Sequence, residues 1–429
     1  MIAILSKLCW AVATSFLIIG SLYFTGKLHF LQFRLKKVFG AIFTKDNEKT
    51  GINPLDTLML TLAGRIGVGS IAGIALAISL GGKGTLFWIW LMAILVASLG
   101  YSETVLAVVY RKKDNDVFLG GPSYYMRDGL GWKKTGAVYA ILIIVSYIGG
   151  FLGVQANTIT KSLNSIVTVS PYWVGLCLVI ITSFIIFGGI RRIAYFTSKI
   201  VPLMSILYLG LVFFILGKNI GMFPTIIREI FEEAFHFSSF ISSFLPTMII
   251  GIQRGIFSNE AGLGTGSITA ATSSTSSPSS QGYLQILGIY ITSLLICSAT
   301  AFFVLTSNYQ NFLVNDLNGV ELVSYAFKFH FGNAGPYLLF FFILLFSFST
   351  ILTGYYDGES SMKYFSEKPK KISLLSLKIV TLIMIFVGCI ISSTTLWNFV
   401  DLLVAWLAII NICALVSLKK DILLESKME

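Results

Sequence analysis

The sequence predicts an all-α polytopic membrane protein of about eleven transmembrane helices. Two observations predict it. Of the 429 residues, 55% are hydrophobic and 12% charged, whereas soluble domains carry about 25% charged residues. Apolar runs long enough to cross a bilayer also recur along the whole chain, without the polar–apolar alternation that strands of a membrane barrel would show.

The first run, 4–24, has some signal-peptide character. Its small-residue site, Ala11-Val12-Ala13, comes before most of the apolar stretch, so a retained helix is predicted. Runs 54–80, 84–109, 134–158, 172–190 and 193–218 follow, separated by polar or charged connections. Residues 221–236, GMFPTIIREIFEEAFH, are too charged to span. Ile226, Ile227, Ile230, Phe231 and Phe235 recur there at helical spacing, which predicts a helix lying along the outer surface. Runs 241–274 (interrupted), 283–306, 333–357, 374–392 and 396–418 complete the set.

Charge sets the orientation. Of the 31 Lys and Arg residues, 23 fall on one side of this topology and six on the other, with Arg65 and Arg254 inside spans. Positive residues stay inside, so the N-terminus is expected outside the cell membrane and the C-terminus in the cytoplasm. The net charge of +11 is thereby explained by topology. The basic residues are spread over short loops, and no nucleic-acid partner is expected. Cys9, Cys177, Cys297, Cys389 and Cys413 sit in apolar runs without paired spacing and read as small buried hydrophobes. His29, His236 and His330 are scattered, so no metal cluster is suggested. No nucleophile–base arrangement or phosphate loop appears, so nothing suggests an enzyme, and no cofactor is expected. Gly67-Val68-Gly69 with Gly73 misses the dinucleotide fingerprint by one position, and no strand precedes it.

Two spans are built to break. One contains Ala63-Gly64-Arg65-Ile66-Gly67-Val68-Gly69-Ser70, the other GIQRGIFSNEAGLGTG from Gly251 to Gly266. Each glycine costs a helix about 1 kcal/mol relative to alanine, so crowded glycines make local unwinding inexpensive. Unwound backbone inside a membrane must find internal partners or line a cavity. The ten spans after the first divide as five plus five, and each half opens with one of these segments. The chain is accordingly expected to divide into an extra helix and basic linker (1–53), a first five-helix repeat (54–218), the surface helix (219–240), a second repeat (241–418) and a tail (419–429). Interrupted spans at corresponding places in two halves point to a transporter site at mid-membrane. Close helix packing is the alternative use of the glycines, and Gly69 and Gly73 fit its spacing. It suits the second segment less, because Arg254, Ser258, Asn259 and Glu260 stand at membrane depth, where ionisable residues normally have a role.

At these residues the chain resembles the alanine/glycine:cation symporter family of prokaryotes. The stretches that carry the resemblance are AGRIGVGSIAG (63–73), FLGGPSYYMRDGLG (118–131), VQANTI (154–159), RGIFSNEAGLG (254–264) and FSTILTGYYDGE (348–359), and it extends over nearly the whole chain. It implies the leucine-transporter-type inverted-repeat fold and uptake of a small neutral amino acid, alanine or glycine, with sodium as coupling ion and sometimes protons. A monomer in the lipid bilayer is the expected state.

Given such a substrate, N–H groups exposed at Gly67, Val68 and Gly69, beside Ser70, suit its carboxylate, aided by the positive end of the half-helix that restarts near Ile71. The second interruption would face the first, with Phe257 as wall or lid and free carbonyls for the ammonium among Ser258, Asn259, Gly262 and Gly264. By resemblance Gln155 reaches the substrate's amino group; an interhelical hydrogen bond is the alternative. Ser349 and Thr350 can aim two hydroxyls at sodium, and the fold class implies carbonyls of Ala63 and Ile66 beside them. The alternative is that both hydroxyls bond back to their own helix.

The chain departs from the family pattern at Ser70, where asparagine is usual, at Val68 and Lys83, and at Thr292-Ser293 in place of Asp-Thr. Two rival readings stay open: the same fold driven by protons or moving another small solute, and a sensor or channel on a transporter scaffold.

Overall fold

Helices occupy nearly every predicted span. The computed structural model describes residues 2–43, 50–236, 240–310, 319–366 and 371–427. The expected loop cations Lys45, Lys49, Lys368 and Lys370 lie outside them. Uninterrupted apolar helices run over Ile2–Lys27, Thr85–Val109, Gly189–Lys218, Gly335–Lys363, Lys371–Ile390 and Ser393–Ser417. Lys133–Asn164 and Pro278–Leu305 are also continuous, each through one wide π-type stretch, at Ile144–Phe151 and Ile291–Cys297. Pro171–Ile186 is shorter but equally apolar.

Both glycine-rich spans are broken. The first divides into Pro54–Arg65 and Gly69–Gly81, whose axes differ by 52°. The second divides into Leu245–Asn259 and Thr265–Ala270. Pro54–Arg65 starts cleanly because Asn53 caps it, its side chain accepting the Leu55 N–H at 2.9 Å, with Pro54 at the first helical position. The leading half of the first span packs on the trailing half of the second, and Gly69–Gly81 packs on Leu245–Asn259. The two spans therefore run antiparallel, with their breaks side by side. Gly335–Lys363 and the π-type stretch Ile144–Phe151 close in around them.

The basic connections gather at one end. Ile52 exchanges backbone hydrogen bonds with Thr272 and Ser274 (2.9 and 2.7 Å), and Gly51 donates to the Asp116 carbonyl at 3.0 Å. Arg111 donates to Ser273 O at 2.6 Å, and Lys363 pairs with Asp114 at 3.1 Å. A small hairpin, Lys112–Asp114 with Val117–Leu119, lies in this cluster and was not visible as an alternating pattern in the sequence.

At the other end, Phe223–Ala234 forms the amphipathic helix, burying Ile226, Ile230 and Ala234. Glu233 accepts the N–H groups of Lys83 and Gly84, just ahead of Thr85–Val109, and Lys83 Nζ pairs with Glu229 at 2.7 Å. A carboxylate at a helix N-terminus is favoured by the helix dipole. A further helix, Val320–Phe331, fills what the sequence reading left as a connection. At 12 residues it is too short to span, and it carries Glu321, Lys328 and His330, while Leu322, Val323, Ala326 and Phe327 are buried. The extra first helix packs along Ser393–Ser417 and Thr85–Val109, and Trp10 donates its indole N–H to Asp401 O at 2.8 Å.

Candidate functional site

The first break covers residues 66–68. Ile66 leaves helical torsions (φ −88°, ψ 73°), and the Val68 N–H is taken by Gln155 Oε1 at 3.1 Å. Glycine is needed at 67 because a Cβ there would lie 2.4 Å from Thr350 Oγ1 and 3.1 Å from Gln155 Oε1. Helix resumes as one π-type turn, Gly69–Gly73. Ser70 ties the break together: its hydroxyl donates to Arg65 O at 3.1 Å and lies 2.8 Å from Ser258 Oγ on the second broken span.

The second break turns through three left-handed residues, Glu260 (φ 55°), Gly262 (φ 82°) and Gly264 (φ 87°). Glycine adopts this region without penalty. A glutamate there is uncommon, and two hydroxyls hold it, Tyr147 OH on Oε1 at 2.9 Å and Thr265 Oγ1 on Oε2 at 3.0 Å.

Phe257, Ser258 and Asn259 come to the first break or beside it. The Phe257 ring closes over Gly69, where a Cβ would meet it at 3.0 Å, and packs between Phe151 and Trp397 with centroids 4.9 and 4.7 Å away. Ser258 bridges Ser70 and Cys297 Sγ (3.1 Å). Asn259 is fully engaged within the protein, donating to Ser293 at 3.0 Å and accepting the Ala261 N–H at 3.0 Å. Ser293 thus supplies an oxygen where the family pattern has Asp-Thr.

The expectation of free carbonyls needs correcting at the far side of this break. Gly262 O accepts from Asn411 Nδ2 at 3.0 Å, and Leu263 O accepts from Tyr139 OH. The Gly264 N–H is held by Glu103 Oε2 at 3.0 Å. Buried backbone groups require partners, and neighbouring helices supply them here. Gly262 and Gly264 therefore face Glu103, Asn411 and Tyr139 rather than the first break.

Gln155 is buried beside residues 67–68, but with the opposite polarity to that expected. The Val68 N–H engages its acceptor oxygen, and Nε2 is left buried without a partner. The unused group is a donor, which suits a carboxylate better than an ammonium. Asn157, two residues on, donates to Gly388 O (3.2 Å) and Ile391 O (2.7 Å) and is an interhelical tie.

Thr350 Oγ1 lies 2.8 Å from Ala63 O and 2.9 Å from Phe346 O. Ser349 Oγ makes the back-bond to its own helix, to Phe346 O at 2.9 Å. Thr350 thus does what both alternatives foresaw, bonding back to its helix and also reaching the end of Pro54–Arg65. Ala63 O, Thr350 Oγ1 and Phe346 O are uncharged oxygens brought together beside the break, the kind of donor set that replaces the hydration shell of a monovalent cation. Ile66 lies next to it at the helix end.

One part of the site was missed from the sequence. Arg254 pairs with Asp401, both about 95% buried (side-chain exposures of 5% and 6%). Its guanidinium lies 4.8 Å from the centre of the Trp397 ring and 5.6 Å from that of Phe257. The pair closes the site toward the end opposite the basic loops. Beyond it lies a cavity of about 230 Å³ lined by Thr158, Ser393, Thr394 and Asn398. The only signal had been an acid inside an apolar run, LWNFVDLLVAW.

The chain has relatives over its full extent. The family model described as "Sodium:alanine symporter family" matches residues 1–427. A "Probable sodium/glutamine symporter GlnT" of Bacillus subtilis is 35% identical over 98% of this chain and 88% of its own. An "Amino-acid carrier protein AlsT" of the same organism is 34% identical over 96% and 88%. A "Sodium/alanine symporter AgcS" of Methanococcus maripaludis is 32% identical over 97% and 94%. Among solved structures, a Na+-coupled sialic acid symporter in a substrate-bound outward-open state shares the fold, with TM-score 0.55 and 13% identity over 94% of this chain and 82% of that one. The chain belongs to the sodium:alanine symporter family.

Proposed function

We propose that this member of the sodium:alanine symporter family carries alanine or glycine into the cell together with sodium, by alternating access. The observation that carries the reading is the meeting of two helix breaks. Thr350 is joined to Ala63 on one side of the first break and Gln155 to Val68 on the other, so ion and amino acid would organise the same few residues.

The substrate carboxylate sits at the start of the Gly69–Gly73 turn, where the half-helix presents its positive end. Gln155 Nε2 adds a donor. The ammonium faces the negative C-terminal end of Leu245–Asn259. The Phe257 ring, backed by Phe151 and Trp397, walls the substrate's side chain and disfavours anything longer than a methyl group. Sodium takes Ala63 O and Thr350 Oγ1, with Ile66 and Ser349 completing the surround.

Sharing the first break couples the ligands. A coupling free energy of about 1–3 kcal/mol makes each bind roughly 5–150-fold better in the presence of the other. One sodium ion entering down about 100 mV supplies roughly 2.3 kcal/mol beyond its concentration gradient. The five-helix units 54–218 and 241–418 act as inverted repeats, with the basic end cytoplasmic and the first residue outside.

The test is uptake of labelled alanine into proteoliposomes under an imposed sodium gradient, competed by a panel of amino acids. Sodium-dependent accumulation inhibited by glycine and alanine is expected. Equal uptake with potassium and a proton gradient would instead favour proton drive, and unsaturable, non-concentrative flux a channel. Gly69→Leu is expected to abolish alanine binding, because even a Cβ meets Phe257 at 3.0 Å and the Ser258 backbone at 3.3 Å. Equilibrium binding to the purified variant checks this, and retained alanine affinity would reject the carboxylate position.

A further inference from the structure

Four buried ionisable side chains take no part in the reading above. Arg65, Glu103, Glu260 and Asp357 are 1%, 0%, 3% and 3% exposed. They surround Thr265–Ala270, the half of the second broken span nearer the basic end. Glu260 holds Thr265 through its hydroxyl, and Glu103 holds the Gly264 N–H and the Asn411 amide, each at 3.0 Å. The start of that half-helix is thus fixed by two carboxyl groups.

The charges do not balance. Asp357, on Gly335–Lys363, is buried with Glu260 as its charged neighbour, and its Oδ1 has no hydrogen-bond partner. Glu103 Oε1 is likewise buried and unpartnered. The cation among them, Arg65, donates from Nη1 to Gln285 O at 3.3 Å, while Nε and Nη2 have no partner. Glu103 and Glu260 thus face the guanidinium, while Asp357 faces Glu260 alone, so three carboxyls share one cation. Tyr139 and Tyr147, from Lys133–Asn164, and Tyr356, beside Asp357, are acids and add no positive charge. The basic-end cations Lys363 and Arg127 are engaged elsewhere, Lys363 with Asp114 and Glu359, and Arg127 with Asp128. Fully ionised, the cluster would bury two uncompensated negative charges, each costing several kcal/mol. Buried groups in that position take up a cation. Among the described residues no three His, Cys, Asp or Glu side chains are placed to hold a metal ion. A proton needs only one oxygen, and Asp357 Oδ1 offers it.

We propose that Asp357 and Glu260, with Glu103, form a proton-binding site at the cytoplasmic end of the second broken span, and that the bound proton keeps the inner half-helix closed. The proposal rests on the orientation and alternating access given under Proposed function. When the half-helix swings away, water reaches Asp357; the O–H bond breaks, the proton passes to water, and the carboxylate is left hydrated. Closing requires the proton back from the same side, so the site regulates inward opening and moves no net proton across the membrane.

Two measurements test it. Infrared spectra of the purified protein at neutral pH are expected to show a protonated-carboxyl stretch that loses intensity in Asp357→Asn. This readout is independent of transport, so it stands even if sodium–alanine uptake is not found. In proteoliposomes at fixed external pH, lowering internal pH from about 8 to about 6 is expected to slow alanine exchange by roughly fivefold or more. Asp357→Asn, permanently neutral, is expected to be slow at both values and to vary by less than about twofold between them. A spectrum without the band, or an Asp357→Asn variant with the wild-type pH profile, overturns the proposal. Net proton uptake with alanine would replace regulation with proton co-transport and overturn the one-sided mechanism.

Discussion

Thr350→Ala is expected to raise the sodium concentration for half-maximal alanine uptake by roughly tenfold to a hundredfold, the equivalent of losing one hydrogen bond or ligand to a charged group. Thr350 Oγ1 is the side-chain oxygen that bridges Gly335–Lys363 to the end of Pro54–Arg65, 2.8 Å from Ala63 O. Without it, a cation beside Ala63 loses both a ligand and the strut that positions the other ligand. Thr350→Ser keeps the oxygen and is expected to stay near wild type. Ser349→Ala should have the smaller effect, since its hydroxyl bonds back to Phe346 O, and the double alanine variant the largest. Uptake measured against sodium at saturating alanine reads the change directly. An unaltered sodium requirement in the double variant, with expression intact, would remove the ion from this place.

The breaks were legible because their cause is local. Glycines at 64, 67 and 69, and again at 262, 264 and 266, destabilise helix wherever the chain folds, and the structure unwinds at both places. The surface helix was legible for a similar reason, its apolar stripe ending up buried at Ile226 and Ile230. The partners of buried charges were not. Arg254 and Asp401 are 147 positions apart, and nothing in either neighbourhood encodes the other. Arg65 shows the converse: an arginine just ahead of a glycine cluster, as Arg254 is, yet among the described residues it forms no ion pair and bonds a backbone carbonyl instead. Gly262 and Gly264 look equivalent to Gly67 and Gly69 in sequence. Their carbonyl and N–H are nevertheless taken by Asn411 and Glu103, on helices whose approach only the tertiary fold determines.

Asp401→Asn is expected to reduce sodium-driven alanine uptake by about a hundredfold or more while leaving sodium-dependent alanine binding in place. The substitution keeps shape and removes charge, so the Arg254 guanidinium stays buried without its counter-ion. Breaking a buried pair in this way costs about 3–5 kcal/mol, which is roughly two to four powers of ten in an equilibrium. That cost falls on the conformation in which the pair is formed and closed to water, the one with Arg254 packed on Trp397 and Phe257. A conformation open at this end hydrates Arg254 and avoids the cost. The equilibrium therefore shifts toward the open form, where the breaks still bind their ligands but cannot be sealed for passage. Arg254→Leu with Asp401→Leu, which leaves no orphan charge, is expected to recover part of the uptake, because an apolar pair can replace a buried ion pair at little loss. Uptake, equilibrium binding and thermal unfolding on the same preparations separate the cases. Uptake at the wild-type level in Asp401→Asn would show that the pair does not gate transport. Loss of binding together with a collapsed unfolding temperature would assign it to stability alone.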